Sequence, residues 1–266
     1  MDLFLIFGII LGALAVVVGM IVKGASVSVL LNPAAAIIIL VGTTAAVMNS
    51  FPKNEFLNIP KILGALLKEK KGQDSVEIVK QFVEMSQQAR KEGILSLEPE
   101  VAKIENPFLK KGLELVIDGT DRDLVRETLA IEIAGVEERH RAGAAIFSAA
   151  GSYAPTLGVL GAVIGLIGAL GNLEDTEVLG HMIAAAFVAT LFGIFLGYVV
   201  CHPIASRLKR KSAIEANNMQ IILEGVLSLH GGENSNNLKM KLVGMLNPKD
   251  RSKLAGNSTE IQGKDK

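Results

Sequence analysis

The 266-residue sequence is poor in the residue types that build enzyme active sites and metal centres. Cys201 is its only cysteine, so an intramolecular disulfide is impossible. The four histidines show no i, i+4 spacing, and Cys201 and His202 have no further ligand residues nearby. Patterns typical of serine hydrolases, zinc proteases, phosphate-binding loops and dinucleotide-binding folds are missing as well. We therefore expect no metal, no cofactor and no enzyme activity.

Charged residues are absent from four long windows, although the chain carries 27 basic and 27 acidic residues. No Asp, Glu, Lys or Arg occurs within 3–22, 24–52, 142–173 or 178–206. A helix needs about twenty apolar residues to cross a bilayer, and each window is long enough. The sequence thus predicts an all-α, polytopic membrane protein with four transmembrane helices in contact with membrane lipid. Its net charge of zero gives no reason to expect a nucleic acid partner.

The distribution of basic residues predicts how these spans are oriented. Segment 53–141 holds 15 Lys and Arg residues, and the cluster 207–211 follows the last window. The two links on the other side are short, with Lys23 as their only basic residue. By the positive-inside rule, both termini and the middle segment face the cytoplasm. The lysines of the middle segment closest to the membrane are Lys53, Lys61, Lys68, Lys70 and Lys71.

Composition divides the chain into five segments. The charged middle segment has helical periodicity, which predicts a compact helical lobe preceded by an amphipathic interfacial helix at 54–68. One apolar stripe of the lobe includes Leu124, Val125 and Leu129. The segments are transmembrane helices 1 and 2 at 1–52, the cytoplasmic domain at 53–142, transmembrane helices 3 and 4 at 143–206, C-terminal helices at 207–246 and a disordered tail at 247–266.

Spans three and four combine regular glycines with a few polar or kinking residues. Glycines recur every three or four residues from Gly158 to Gly171, which favours close helix packing. The alternative is that a partner helix slides or rotates against this wall. Pro155 and Pro203 each remove a helix hydrogen bond, and the freed carbonyl can bind water or a hydroxyl. The polar side chains that make a hydrated seam attractive are Tyr153, Thr156 and Thr190.

Neither span contains a carboxylate. Ion-coupled membrane proteins place such a group at depth, because a proton or Na⁺ has to be neutralised there. If this chain helps to conduct protons, a partner helix must supply the acid.

Several long motifs resemble the A subunit of the bacterial flagellar stator, the MotA/PomA family, and the resemblance reaches to about residue 247. The family implies an inner-membrane homopentamer around a dimer of a single-span B subunit (MotB-like), whose aspartate binds the proton. Proton flow then turns the A ring, and the lobe pushes the rotor protein FliG. The motifs are ARKEGILSLE (89–98), EERHRAGAAIF (137–147), AGSYAPTLGVLGAVIGLIGAL (150–170) and AFVATLFGIFLGYVVCHPIASRLKRKS (186–212).

The resemblance also implies roles for individual residues. Arg90 and Glu98 match the charged pair that contacts FliG, although exposed charges are common on any solvated helix. Pro155 and Pro203 match two functional prolines near the channel. Thr190 matches a channel-lining threonine, and Tyr153 lies on the same lining face by proximity.

Two alanines bear on the transported ion. Sodium-driven relatives have threonines where this chain has Ala162 and Ala189. Na⁺ needs several oxygen ligands, whereas a proton needs only a carboxylate and water. We therefore expect H⁺ as the transported ion, with Na⁺ as the alternative.

Three other functions were weighed against this one. An energiser similar to ExbB and TolQ would also depend on an aspartate from a partner subunit. Such energisers have three spans, so the four charge-free windows of this chain disfavour this function. A solute transporter would need discontinuous helices and usually inverted repeats, and the sequence shows neither. A purely structural scaffold would leave the pattern of proline, threonine and glycine without a purpose.

Overall fold

The computed structural model describes residues 3–67 and 74–261, and these residues form helices and turns with no β-strand. Four helical stretches are long and apolar enough to cross a membrane: Phe4–Val22, Val27–Ser50, Arg122–Leu170 and Thr176–His230. The prediction of an all-α protein with four transmembrane helices is thereby confirmed. The predicted membrane-proximal lysines Lys68, Lys70 and Lys71 lie outside the described residues.

The helices follow one another in a simple order. Those of the first half are α1 (Leu3–Val22), a 3₁₀ turn (Val27–Leu30), α2 (Pro33–Ser50), α3 (Lys53–Phe56), α4 (Ile59–Leu67), α5 (Ser75–Glu92), a 3₁₀ turn (Ile94–Leu97), α6 (Glu98–Val101) and α7 (Pro107–Ile117). Those of the second half are α8 (Arg122–Leu170), α9 (Thr176–Ile194), a π-helical segment (Phe195–Cys201), α10 (His202–His230), α11 (Ser235–Gly244) and α12 (Pro248–Ile261).

The contacts divide the chain into two compact units. Residues 3–67 and 140–210 form the spanning unit, and residues 74–139 and 211–261 form the helical lobe. The long helices α8 and α10 contribute residues to both units. The predicted cytoplasmic domain began at residue 53, whereas α3 and α4 belong to the spanning unit.

Short polar side chains begin several of these helices. The Asn32 side chain accepts a hydrogen bond from the Ala35 N–H at 3.0 Å, and Pro33 follows at the first helical position, where no hydrogen bond is lost. Asp121 accepts bonds from the N–H groups of Asp123 and Leu124 at 2.9 and 3.3 Å. Asp121 therefore caps the start of α8.

The lobe is built around a core to which α5, α7, α8, α10 and α11 all contribute. Phe82 is fully buried, and Gly225 leaves room for its ring: a Cβ atom added at Gly225 would lie 2.6 Å from the ring. The predicted stripe is right at Val125 and Leu129, which are completely buried. It is wrong at Leu124, which is 52% exposed, because successive helical residues point about 100° apart and Val125 takes the inward direction.

The C-terminal segment differs from the predicted disordered tail at 247–266. The structure has α12 over Pro248–Ile261, and Leu254 is buried in the lobe core. The Arg251 guanidinium donates to the carbonyls of Leu246 and Gly244 at 2.8 and 2.6 Å. One apolar contact and these bonds fix the start of a segment whose polar composition alone indicated disorder.

The predicted interfacial helix at 54–68 is broken into α3 and α4. Pro60 lies in the first turn of α4, where its missing N–H is tolerated, and it prevents one helix from running through this point. Leu66 is completely buried beside Phe147 and Ile204. The apolar face of α4 therefore packs on the spanning helices α8 and α10.

Candidate functional site

Glycines and alanines hold α8 and α9 in backbone contact along a surface that we call the seam. A Cβ atom added at Gly158 would lie 3.0 Å from the Ala189 carbonyl oxygen, and one at Gly165 would lie 2.8 Å from the Ala186 Cβ. A Cβ atom added at Gly193 would collide with the Ala154 carbonyl oxygen. These glycines therefore serve helix packing inside one chain, which is the first of the two predicted interpretations.

Pro155 lies in the seam, close to Gly197. It stands inside α8, so the Gly151 carbonyl four residues earlier receives no helical N–H. That carbonyl faces Gly197: a Cβ atom added there would lie 2.6 Å from the Gly151 oxygen and 2.8 Å from Pro155 Cγ. Proline on α8 and glycine at position 197 thus allow close approach at the point where the Gly151 carbonyl has no helical hydrogen bond.

Thr190 and Ala189 also lie in the seam. The Thr190 hydroxyl donates across the helices to the Gly158 carbonyl at 3.4 Å, a long hydrogen bond. Ala189 is buried, and a Cβ atom added at Gly161 would lie 2.8 Å from the Ala189 Cβ. Ala162, the next residue of α8, is half-buried.

Tyr153 and Thr156 point away from the seam. The half-buried Tyr153 hydroxyl lies 2.9 Å from the Ser50 hydroxyl at the end of α2. Ser50 already donates to the Ala46 carbonyl, so Tyr153 donates to Ser50. Thr156 is exposed and donates to the Ser152 carbonyl of its own helix at 3.4 Å.

Pro203 faces a different neighbour. It lines a groove with residues of α1, including Leu5 and Gly8. The seven residues predicted as the ion path therefore do not converge on one cavity within a single chain. Pro155, Ala189 and Thr190 share the seam, and Ala162 is half-buried on α8. Tyr153 contacts α2, Thr156 is exposed, and Pro203 borders α1.

Three features of this region were missed by sequence reasoning. The π-helical segment Phe195–Cys201 has its His202 N–H bonded to the Gly197 carbonyl, five residues back. Such segments are short, uncommon and frequent at functional sites, and Pro203, two residues after it, was the one available signal. The Thr43 hydroxyl of α2 is buried without a hydrogen-bond partner among the described residues. Ser50, the partner of Tyr153, was the third.

Arg90 and Glu98 lie on either side of one turn of the lobe. Arg90 is in the last turn of α5, Glu98 begins α6, and both are exposed. Gly93 between them has φ of 87°, a backbone conformation that favours glycine. The Gln88 side chain donates to the Ser96 carbonyl at 3.0 Å, which fixes the turn. The two charges are thus presented to solvent from a rigid support.

No group of three or more His, Cys, Asp or Glu side chains with metal-binding geometry occurs in residues 3–67 and 74–261. The ionisable side chains of the seam region are few. The seam is an apolar surface with scattered hydroxyls and the Gly151 carbonyl, which has no helical hydrogen bond.

Comparison with known proteins assigns this architecture. Residues 100–221 match the MotA/TolQ/ExbB proton channel family. The chain is 47% identical over its full length to Motility protein A of Bacillus subtilis, covering 98% of that protein. The chain belongs to the MotA family. It is also 37% identical to Motility protein A of Borreliella burgdorferi, over 96% of this chain and 97% of that one.

A solved structure agrees with the MotA assignment. The flagellar MotAB stator complex from Bacillus subtilis contains a chain that matches with a TM-score of 0.88 and 48% identity, over 94% of this chain and 98% of that one. The resemblance to flagellar stator A subunits is confirmed, and with it the role of a stator protein in motility. The matching family is described as a proton channel family, and the MotA relatives together with the four apolar helices indicate an inner-membrane protein. Full-length similarity to motility proteins also disfavours the ExbB/TolQ alternative.

Replacing Pro203 tests the role of the π-helical segment in this MotA-family chain. Pro203→Ala restores an N–H that can bond the Val199 carbonyl, so the segment can relax into a regular α-helix. We expect torque at high load to fall severalfold while membrane assembly is unchanged, measured by tethered-cell rotation and membrane fractionation. Pro33→Ala is the control, because Pro33 occupies a helix start. Unchanged rotation at all loads would show that Pro203 has no role in torque.

Proposed function

We propose that this chain is the A subunit of a proton-driven flagellar stator, assembled as a pentamer around a dimer of single-span B subunits. Proton binding and release on a B-subunit aspartate turns the A ring, and the lobe pushes on the rotor protein FliG. The observation that carries the proposal is the seam: two closely packed membrane helices with hydroxyls and a released carbonyl but no carboxylate. Such a wall is complete only when a partner supplies the acid.

The outward face of α8 is the surface that we assign to the partner helix. Thr156 is exposed, Val159 is 56% exposed and Val163 is 46% exposed, so this face is not used within the chain. Gly158, Gly161 and Gly165 of α8 are already occupied by α9. A B helix therefore meets an apolar surface with the Ser152 and Thr156 hydroxyls near one end.

The proposed orientation places both termini and the lobe in the cytoplasm. The positive-inside rule supports it, because the cluster 207–211 follows the last span and the outer links carry almost no basic residue. With this orientation Arg90 and Glu98 are in the cytoplasm, where FliG is accessible to them.

The proposed ion is the proton. Ala189 is buried in the seam, where a threonine would add an oxygen ligand. Ala162 on α8 provides no oxygen ligand either. Hard cations bind through several oxygen ligands at once, and this wall offers mainly Thr190, which is engaged with Gly158. A Na⁺-driven stator of the same family is the alternative.

Swimming of a stator-less strain tests this function. Co-expression of the chain with its B subunit should restore swimming, and neither protein alone should do so. Swimming speed should rise with the proton-motive force and stay constant when external Na⁺ is varied at fixed proton-motive force. Speed that follows Na⁺ and ignores a protonophore would contradict the ion assignment, and swimming without a B subunit would contradict the shared path.

A further inference from the structure

The ring of His202 packs against the backbone of α8. His202 begins α10, and a Cβ atom added at Gly151 would lie 2.9 Å from the Cγ, Cδ2 and Cε1 atoms of its ring. Alanine at position 151 would therefore push the imidazole away from α8. Gly151 also carries the carbonyl that Pro155 leaves without a helical hydrogen bond. A titratable ring thus lies beside the one backbone acceptor that the seam leaves free.

The ring nitrogens of His202 are not used by the fold. The side chain is half-buried, and within residues 3–67 and 74–261 neither nitrogen has a hydrogen-bond partner. Its ring contact is with Tyr198, at a centroid distance of 5.3 Å and an interplanar angle of 45°. Phenylalanine would pack equally well against Gly151 and Tyr198, and it has no polar atoms to desolvate. The imidazole therefore offers its nitrogens to a group outside the chain.

His202 lies close to the edge of the apolar layer. Arg207, five residues further along α10, is the first charged residue after the window 178–206. With a rise of 1.5 Å per residue, the two side chains start about 7.5 Å apart along the helix axis. In the proposed orientation this is the cytoplasmic edge. A proton that reaches this depth is one or two helical turns from the aqueous phase.

The helices packed around the start of α10 are α1, α4 and α8. No charged residue occurs within 3–22 of α1 or within 142–173 of α8, and Lys61 of α4 is exposed. Tyr198 and Cys201 are the titratable neighbours on the same stretch of chain. Phenol and thiol groups ordinarily ionise at a higher pH than imidazole. The imidazole is therefore the group best suited to exchange protons near neutral pH in this place.

Hydroxyl groups on α8 connect the surface that we assign to the B helix with this end of the span. Thr156 and Ser152 are exposed and lie one helical turn apart, and Ser152 donates to the Ser148 carbonyl at 3.1 Å. Ser152 directly follows Gly151, on which the His202 ring rests. Hydroxyls can hold water in a hydrogen-bonded line, because each both donates and accepts.

We propose that His202 receives the transported proton at the cytoplasmic end of the path. The proton leaves the carboxyl group of the B-subunit aspartate, passes along water and binds to a ring nitrogen of neutral His202. This step leaves a carboxylate on the B subunit and an imidazolium on this chain. The imidazolium then gives the proton to cytoplasmic water or buffer and becomes neutral again. The inference rests on the proposed function, because it assumes that protons are the transported ion.

Proton flux in vesicles tests this role. The chain is purified with its B subunit, and only intact complexes are reconstituted, with an internal pH dye and a potassium diffusion potential that drives protons inward. His202→Phe keeps an aromatic ring against α8 but cannot bind a proton. It should lower flux roughly a hundredfold, the lower end of what a positioned acid–base group contributes. His181→Phe is the matched control, because His181 is exposed on α9 in the same charge-free window.

Chemical rescue separates proton transfer from packing. His202→Ala should also lower flux, and it leaves a gap beside Gly151 that free imidazole can enter. Imidazole on both sides of the membrane should restore flux severalfold in His202→Ala. The same addition should not help His202→Phe, whose ring fills the gap, so this variant also reports any leak that imidazole itself causes.

The outcomes distinguish this role from the proposed function. Absence of flux through the unchanged complex would contradict the proton-driven function itself. Flux through the unchanged complex, together with undiminished flux in His202→Phe or His202→Ala, would overturn the role of His202. Equal loss in His181→Phe, or no difference in rescue between the two His202 variants, would overturn it as well. Either His202 variant decides if the other does not assemble.

Discussion

Gly193→Ala in the seam is expected to abolish swimming. The added methyl group would collide with the Ala154 carbonyl oxygen, and backbone atoms cannot move aside as a flexible side chain can. Overpacking of this kind costs about 1–3 kcal/mol or more, and here it also displaces Pro155 and Thr190 from their facing helix. The measurements are swimming in soft agar and the amount of A–B complex recovered from membranes.

Gly180→Ala is the control for this experiment. It lies on the same helix, α9, and a Cβ atom added there meets nothing within 4 Å. Alanine at an open helical position is neutral or slightly stabilising, so this strain should swim normally. Normal swimming of the Gly193→Ala strain would mean that α8 and α9 do not need backbone contact in the working stator.

Arg90→Glu is expected to stop swimming while the stator still assembles in the membrane. Arg90 is exposed at the end of α5 and contributes nothing to the buried lobe core, so the fold is retained. If Arg90 forms the proposed rotor contact, reversing its charge replaces attraction with repulsion, an effect of several kcal/mol at an interface. Glu98→Lys should have the same effect from the neighbouring helix. Swimming and the membrane level of the complex are the two measurements.

Lys91→Glu separates a specific rotor contact from a general charge effect. Lys91 is exposed beside Arg90 and receives the same change of charge. This strain should keep most of its swimming speed. Equal loss of swimming in the Lys91→Glu and Arg90→Glu strains, or normal swimming in the latter, would remove the assignment of Arg90 to the rotor contact.

The sequence predicts the spans well because charge is excluded from a bilayer at a cost of several kcal/mol. Four windows without Asp, Glu, Lys or Arg leave little choice about which segments cross. The apolar stripe predicted for the lobe is buried at Val125 and Leu129, with Leu124 as the exception.

The distribution of the path residues over different faces could not be predicted from the sequence. Hydropathy defines where a helix crosses but not how it is rotated about its axis, and Tyr153, Pro155 and Thr156 are close in sequence yet face three directions. The π-helical segment shifts the register again before Pro203. The start of α12 depends on a few tertiary contacts of Leu254 and Arg251, which polar composition does not reveal.

Proton flux into vesicles tests the central claim most directly, namely that this chain supplies the wall and a partner supplies the acid. Vesicles with an internal pH dye would contain this chain alone, the chain with its B subunit, or the chain with a B subunit whose membrane aspartate is replaced by asparagine. We expect flux only in the vesicles that contain the chain together with its unchanged B subunit. Flux through the chain alone, or undiminished flux with the asparagine variant, would contradict it.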